Sequence, residues 1–286
     1  MIFNPNKEII PFHPNKHWYL TDKQCKDNTK FQMKLLRYTL YHFSTPIPND
    51  WDHVTLSLYT MDGTDVGDDS FSEIKFYYNH QEDKTYITFD MDTALISAGK
   101  YYIQIIDDRY PENPLYSEPF CVKGYSPEFT LRWSNKCLKV GNVIYAPTKT
   151  AQQTFRKLHI DGITVVLSDT QTTEEIVQDE IGNETPVSQT ITQKYMFSAV
   201  FPFYIIEALT TLPLHSDVYL EAHNKWEKKM ERIEVTSEPE DFGCAGKVTI
   251  KFETNRVFKA GCCEDSVTEK IDYNPFHYDD DNYSTT

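Results

Sequence analysis

The chain has 286 residues, with 28 Lys and Arg against 43 Asp and Glu, for a net charge of −15. Hydrophobic residues make up 40% and aromatics 14%, enough apolar surface to exclude a wholly disordered chain. No stretch approaches the roughly 18 apolar residues of a membrane span, and the acidic balance argues against nucleic acid, whose phosphates need clustered Lys and Arg. The opening residues, Met1 to Lys16, have neither a basic nor an apolar leader region, so no secretory signal is expected. At about 150 residues per domain, the length allows two.

The pattern of the first 123 residues is β. Thr55-Leu56-Ser57-Leu58-Tyr59-Thr60 and Lys84-Thr85-Tyr86-Ile87-Thr88-Phe89 alternate polar and apolar residues, which predicts strands with one face in a core. Asp62-Gly63 supplies a turn signal after the first of them. Tyr101 to Ile106 follows a Gly99-Lys100 turn and reads as another strand. Leu115 to Val122 contains Pro119, whose missing N–H suits an edge strand. Strands at intervals of roughly 10–15 residues predict an immunoglobulin- or fibronectin-III-like β-sandwich over 1–123.

Lys123-Gly124-Tyr125-Ser126-Pro127 is the predicted linker to a second domain over 124–263. Phe129 to Trp133 and Asn142 to Tyr145 read as strands. Gly162 to Leu167 opens a hairpin arm, predicted over 163–197, that turns at Gly182-Asn183 and returns through Val187 to Phe197. Its tip is polar on both faces. A two-stranded ribbon of that kind is marginal alone and needs a sheet or a neighbouring chain to lie on. Pro202 opens the one clear helix, predicted over 202–212, because the first helical turn tolerates a missing N–H; Pro213 ends it. Strands at 217–221, 232–235 and 247–252 complete a β-rich α+β domain.

The last 23 residues, 264–286, hold seven acids against the single Lys270, together with Tyr273, Phe276, Tyr278 and Tyr283. A purely solvated acidic tail has few aromatics. Rigid aromatics are what binding segments use as anchors. The expected interaction residues are therefore Tyr273, Phe276 and Tyr278 as anchors, Asp279, Asp280 and Asp281 facing Lys or Arg of a neighbour, and Gly182 and Asn183 at the arm's turn.

Chemistry is harder to find. Cys25, Cys121, Cys137, Cys244, Cys262 and Cys263 have no repeated spacing and are expected to be free thiols. No C-x₂₋₄-C pair occurs, which rejects zinc. The loop Asp62 to Asp69 is rich in carboxylates and glycine, as calcium loops are, but lacks the EF-hand spacing. It reads as a turn, with a weak calcium site as the alternative. There is no Gly-x-Ser-x-Gly elbow and no phosphate loop, and the nine histidines are scattered. No enzyme activity, cofactor or metal is expected. Trp18-Tyr19 with Trp133 or Trp226 offers either a sugar platform or core anchors, and tryptophans in β-rich domains are usually the latter.

The second domain carries a resemblance. Gln193-Lys194-Tyr195-Met196-Phe197, then Pro202-Phe203-Tyr204-Ile205-Ile206-Glu207-Ala208-Leu209, then Leu214 to Leu220, precede a final strand Val248 to Thr254. This succession resembles a pattern in structural proteins of tailed phages of Bacteroidota, the crAss-like phages among them. It covers roughly residues 129–262, and its motifs are structural, so no catalytic residue carries over. The resemblance implies a virion component of the neck, ring, collar or tail, made in the host cytoplasm. Its implied partners are further copies of itself and other virion proteins, without direct nucleic-acid or membrane contact. The alternative is a head fibre or adhesin that binds host glycans through the sandwich.

Overall fold

A computed structural model describes residues 8–14, 33–124, 126–137, 139–140, 143–145, 147, 154–178, 180–223, 225–239 and 245–259. The fold is mainly β. The contacts divide it into two compact units, one of Met1–Thr170 with Gln193–Thr254, the other of Gln171–Thr192 with Asn255–Thr286.

The first half of the larger unit contains β1 (Phe12–His13), β2 (Met33–Leu36), β3 (Leu40–Ile47), β4 (Val54–Thr60), β5 (Asp65–Gly67), β6 (Phe71–Asn79), β7 (Lys84–Asp92), β8 (Gly99–Asp107), β9 (Leu115–Ser117) and β10 (Phe120–Lys123). The alternating runs at 55–60, 84–89 and 101–106 are β4, β7 and β8. Asp62-Gly63 turns β4 into β5, with the Gly63 N–H donating to the Thr60 carbonyl at 2.9 Å. One sheet is built around β8, which pairs antiparallel with β4 on one side and with β9 and β10 on the other. β1 lies outside β9, and β2 runs parallel to β10. The second sheet has the order β3-β7-β6. Leu56, Leu58, Ile103 and Ile105 from the first sheet and Phe43, Ile87 and Phe89 from the second are buried in one cluster. Phe12 reaches across to Phe89, their ring centroids 6.1 Å apart at a steep angle.

The 115–122 segment departs from expectation. It is not one edge strand. Pro119 interrupts it, and the two pieces are covered by β1 and β2. A proline cannot donate to a ladder, so the line breaks at that residue and resumes one step on.

The second half contains β11 (Phe129–Ser134), β12 (Lys139–Val140), β13 (Val143–Ile144), β14 (Arg156–Ile160), β15 (Val166–Gln178), β16 (Glu184–Pro202), a helix α1 (Phe203–Leu209), β17 (Asp217–Ala222), β18 (Trp226–Lys229), β19 (Glu231–Pro239) and β20 (Ala245–Lys259). One sheet has the order β14-β11-β17-β18, another β15-β16-β20-β19, and β12-β13 is a small hairpin. The helix is shorter than the predicted 202–212. Pro202 is its N-cap, in extended backbone, and Pro213 lies inside a separate 3₁₀ turn, Leu212–Leu214. α1 buries Tyr204, Ile205, Ile206, Ala208 and Leu209. Trp133 is 2% exposed and belongs to the core, so the core reading holds for it.

The expected boundary at Lys123-Gly124 falls inside the larger unit. One continuous hydrophobic cluster runs from Ile9 through Leu35 and Phe89 to Trp133, Leu158 and Phe252. A buried ion pair crosses the same region. Arg156 Nε on β14 donates to Glu8 Oε1 and Oε2 at 2.9 and 2.8 Å, and both side chains are out of solvent. Arg156 Nη2 donates to Ser44 Oγ at 3.1 Å and to the Ile144 carbonyl at 3.2 Å. The Ile9 N–H donates to Glu8 Oε1 at 3.0 Å. On β7, Tyr86 packs against Ile144 of the second half, and Thr85 to Met91 are all buried.

Candidate interaction surface

The hairpin arm is formed by β15 and β16, beginning at 166 rather than the predicted 163 and running on to 202 rather than 197. Every residue of β15 is exposed along its 13 residues. Gly182 sits at the turn with φ +90°, a left-handed backbone that only glycine adopts at no steric cost, so the Gly182-Asn183 turn stands where it was expected. Within the smaller unit the ribbon is tied by side chains. Gln178 Nε2 donates to the Gly182 carbonyl at 3.2 Å, Ser188 Oγ to Glu175 Oε2 at 2.9 Å, and Gln189 Nε2 to Glu174 Oε1 at 3.0 Å. Thr192 Oγ1 donates to Asn255 Oδ1 on β20 at 2.7 Å. The tip is less polar than its composition suggests. Ile176, Val177 and Ile181 are 48%, 54% and 87% exposed. Proteolysis should therefore open the chain at Gly182-Asn183 before any site in the larger unit, Lys123-Gly124 included; early cleavage at 123–124 would contradict this.

The groups expected to carry chemistry have structural partners. Asp62 accepts hydrogen bonds from the Thr60 hydroxyl and, at 3.2 Å, from the Thr64 N–H, which hold its carboxyl below the usual range. Asp65 Oδ1 accepts from the Gly67 N–H at 2.8 Å. These carboxylates shape a turn. Among the described residues, no three His, Cys, Asp or Glu side chains converge to hold a metal. Cys121 is buried and Cys137 exposed, both as free thiols; the other four cysteines lie outside the described residues.

Four histidines are built into the larger unit. His42 Nδ1 is 2.6 Å from Asp90 Oδ1, and burial lowers its pKa despite that partner. His159 Nδ1 lies 3.0 Å from Thr130 Oγ1 and its Nε2 2.7 Å from the Tyr41 hydroxyl. His215 Nδ1 lies 2.8 Å from the Thr211 carbonyl and its Nε2 2.7 Å from the Tyr145 hydroxyl. His13 lies 3.8 Å from Glu118. Burial pushes His13, His159 and His215 down to about 4.

Of the interaction residues expected from sequence, Gly182 and Asn183 are in place on the arm. Tyr273, Phe276, Tyr278, Asp279, Asp280 and Asp281 lie outside the described residues, as do Trp18 and Tyr19. Trp226 is half-buried against Phe129, centroids 6.0 Å apart, and offers no open platform. Sequence reasoning passed over Ile176, Val177 and Ile181. Their signal was a short apolar island between acids at the tip. No known protein family matches the chain, and no curated protein matches it.

Proposed function

We propose that the protein is a non-enzymatic structural subunit of a phage virion, a ring, collar, neck or tail component. It assembles as a homo-oligomer and contacts other virion proteins. The observation that carries this reading is the arm: β15 exposed over its whole length, with Ile176, Val177 and Ile181 turned to solvent. Exposed apolar side chains such as these are stabilised when a second chain covers them, by about 25 cal/mol for each Å² removed from water. Closed rings need two different contact surfaces per subunit, and an arm is one. The acidic aromatic tail is the second. We read the first half as an immunoglobulin-like sandwich, a common assembly module. Its order, β3-β7-β6 against β4-β8 with β9 and β10, matches strands B, E and D opposing C, F and G. Tyr101 near the start of β8 adds to this. Its hydroxyl donates to the Ser97 carbonyl at 2.9 Å, as in a tyrosine corner, and a side-chain carbon at Gly99 would meet that hydroxyl at 2.9 Å.

Replacing residues 174–184 with a short Gly/Ser turn tests the reading. The melting temperature of the larger unit should stay within about 2 °C, and native mass should fall from oligomer to monomer. Ile181→Asp should weaken assembly roughly tenfold, the loss of about 1.4 kcal/mol of burial. Unchanged assembly in both variants would remove the arm from the account.

A further inference from the structure

In the larger unit, the end of the β6–β7 hairpin and β12–β13 enclose a concavity of about 440 Å³. That volume lies within the range of about 300–1,000 Å³ typical of small-molecule sites. Four ring residues line it: Tyr77 and Tyr78 from the end of β6, His80 from the turn and Tyr86 from β7; Tyr86 is fully buried, so the exposed Tyr78 and His80 carry most of the open ring surface. Ile144 of β13 packs against Tyr86 and Tyr77 and contributes an apolar wall. Tyr78 stands edge-on to His80 with centroids 4.7 Å apart, and its hydroxyl is bonded to Asp83, so the ring is held in place.

The charges at this site are already matched. Lys139 Nζ is 2.7 Å from Glu82 Oε1 and lies 4.8 Å from the centre of the Tyr86 ring. The Tyr86 hydroxyl donates to Glu82 Oε2 at 2.9 Å. Among the described residues lining the groove, Lys139 is the one cation and it is paired, and the chain's net charge of −15 disfavours an anionic ligand. The polar groups left open are neutral. Asn79 Oδ1 is taken by the Gln81 N–H at 3.0 Å, which leaves the Asn79 amide nitrogen. The Gln81 carboxamide and the His80 ring nitrogens make no hydrogen bond among the described residues.

We propose that this groove binds a neutral pyranose, as a single sugar or the terminal residue of an uncharged glycan. A pyranose has one face of C–H groups, weakly positive, that packs on the negative face of an aromatic ring. Its rim of hydroxyls both donates and accepts, which suits carboxamides and an imidazole. A proline-rich peptide, the other habitual ligand of tyrosine-lined surfaces, needs a longer groove with successive ridges. This site is one hairpin end wide. The proposal stands apart from the assembly reading, because sugar binding is measured on the subunit whatever its oligomeric state.

Saturation-transfer NMR on the full chain tests it, with methyl α-mannopyranoside, methyl β-galactopyranoside and N-acetylglucosamine as probes and a proline decamer as control. Ring C–H protons of at least one sugar should receive saturation from the aromatic side chains. Tyr78→Ala should reduce that signal at least fivefold and Gln81→Ala at least twofold. Both residues are exposed, so the melting temperature should hold. No transfer to any of the three sugars, transfer unchanged in both variants, or transfer to the proline peptide alone would overturn the assignment.

Discussion

Taking the protein from pH 7 to pH 4 should cost the larger unit most of its stability, with the loss beginning near pH 6.5. His13 and His159 are buried and His215 is half-buried, and desolvation holds their folded pKa values at about 4 against about 6.5 in an unfolded chain. Between those values the unfolded chain binds more protons than the folded one, so stability falls as pH falls and is flat above the window. Each group loses about 1.4 kcal/mol per pH unit inside the window, on the order of 3 kcal/mol by pH 4. Three such groups approach the 5–15 kcal/mol that holds a typical domain. The hydrogen bonds agree with the direction. The Tyr41 hydroxyl accepts from the Leu36 N–H at 2.7 Å and has its own hydrogen to give to His159 Nε2, 2.7 Å away. In that arrangement the nitrogen is the acceptor, and a proton on it would meet a donor. His215 is held in the same state, its Nδ1–H given to the Thr211 carbonyl and its Nε2 facing the Tyr145 hydroxyl. Glu8, whose pKa is raised chiefly by burial, pulls the other way, one group against these three and His42, whose pKa burial also lowers. Asp107, depressed chiefly by its bond to Arg109, acts below about pH 4, outside the window. Melting curves between pH 7.5 and 4 decide the matter, and His159→Gln should shallow the fall by about a third. A melting temperature level down to pH 4.5 would refute the account.

The parts of the fold legible in the sequence are those where one side of a strand meets water. β4 alternates because its partner faces do, and the Asp62-Gly63 and Gly182-Asn183 turns declare themselves by residue type. β3 gave no such signal. Tyr41-His42-Phe43-Ser44-Thr45 is buried throughout, because the second half covers the sheet's outer face, and a polar residue there reads as solvent-facing when it is not. Burial on both faces erases the period of two. The same cover explains why a boundary at Lys123-Gly124 looks natural along the chain while the core runs through it. The sugar groove was hidden differently. Tyr77-Tyr78-Asn79-His80-Gln81 is contiguous and could have been noticed as rings interleaved with amides. Lys139, which neutralises Glu82 and so decides the ligand's charge, comes from a hairpin 57 residues away. Histidine partners such as Tyr41 and His159, 118 residues apart, have no local signature at all.

Replacing Arg156 should be the most damaging single change in the protein. Its guanidinium neutralises Glu8 in a site closed to solvent, with both side chains buried. Removing one partner of a buried pair leaves a desolvated charge and typically costs about 3–5 kcal/mol. For a unit of this size Arg156→Met should therefore lower the melting temperature by about 6–20 °C. The pair itself contributes much less, because forming it required both groups to leave water. Glu8→Leu with Arg156→Met should thus recover most of the loss, apart from the bonds Arg156 made to Ser44 Oγ and the Ile144 carbonyl, and a double-mutant cycle should return at least 2 kcal/mol of coupling. A pH arm separates charge from packing. Arg156 holds down the pKa that burial raises on Glu8, so its loss lets Glu8 take up a proton more readily as pH falls. The gap between Arg156→Met and wild type, both measured at the same pH, should narrow from pH 7.5 to pH 5.5. A gap that stays constant, with no rescue by the double variant, would mean that Arg156 acts through its packed stem and its bonds to Ser44 and Ile144, and that Glu8 is a bystander.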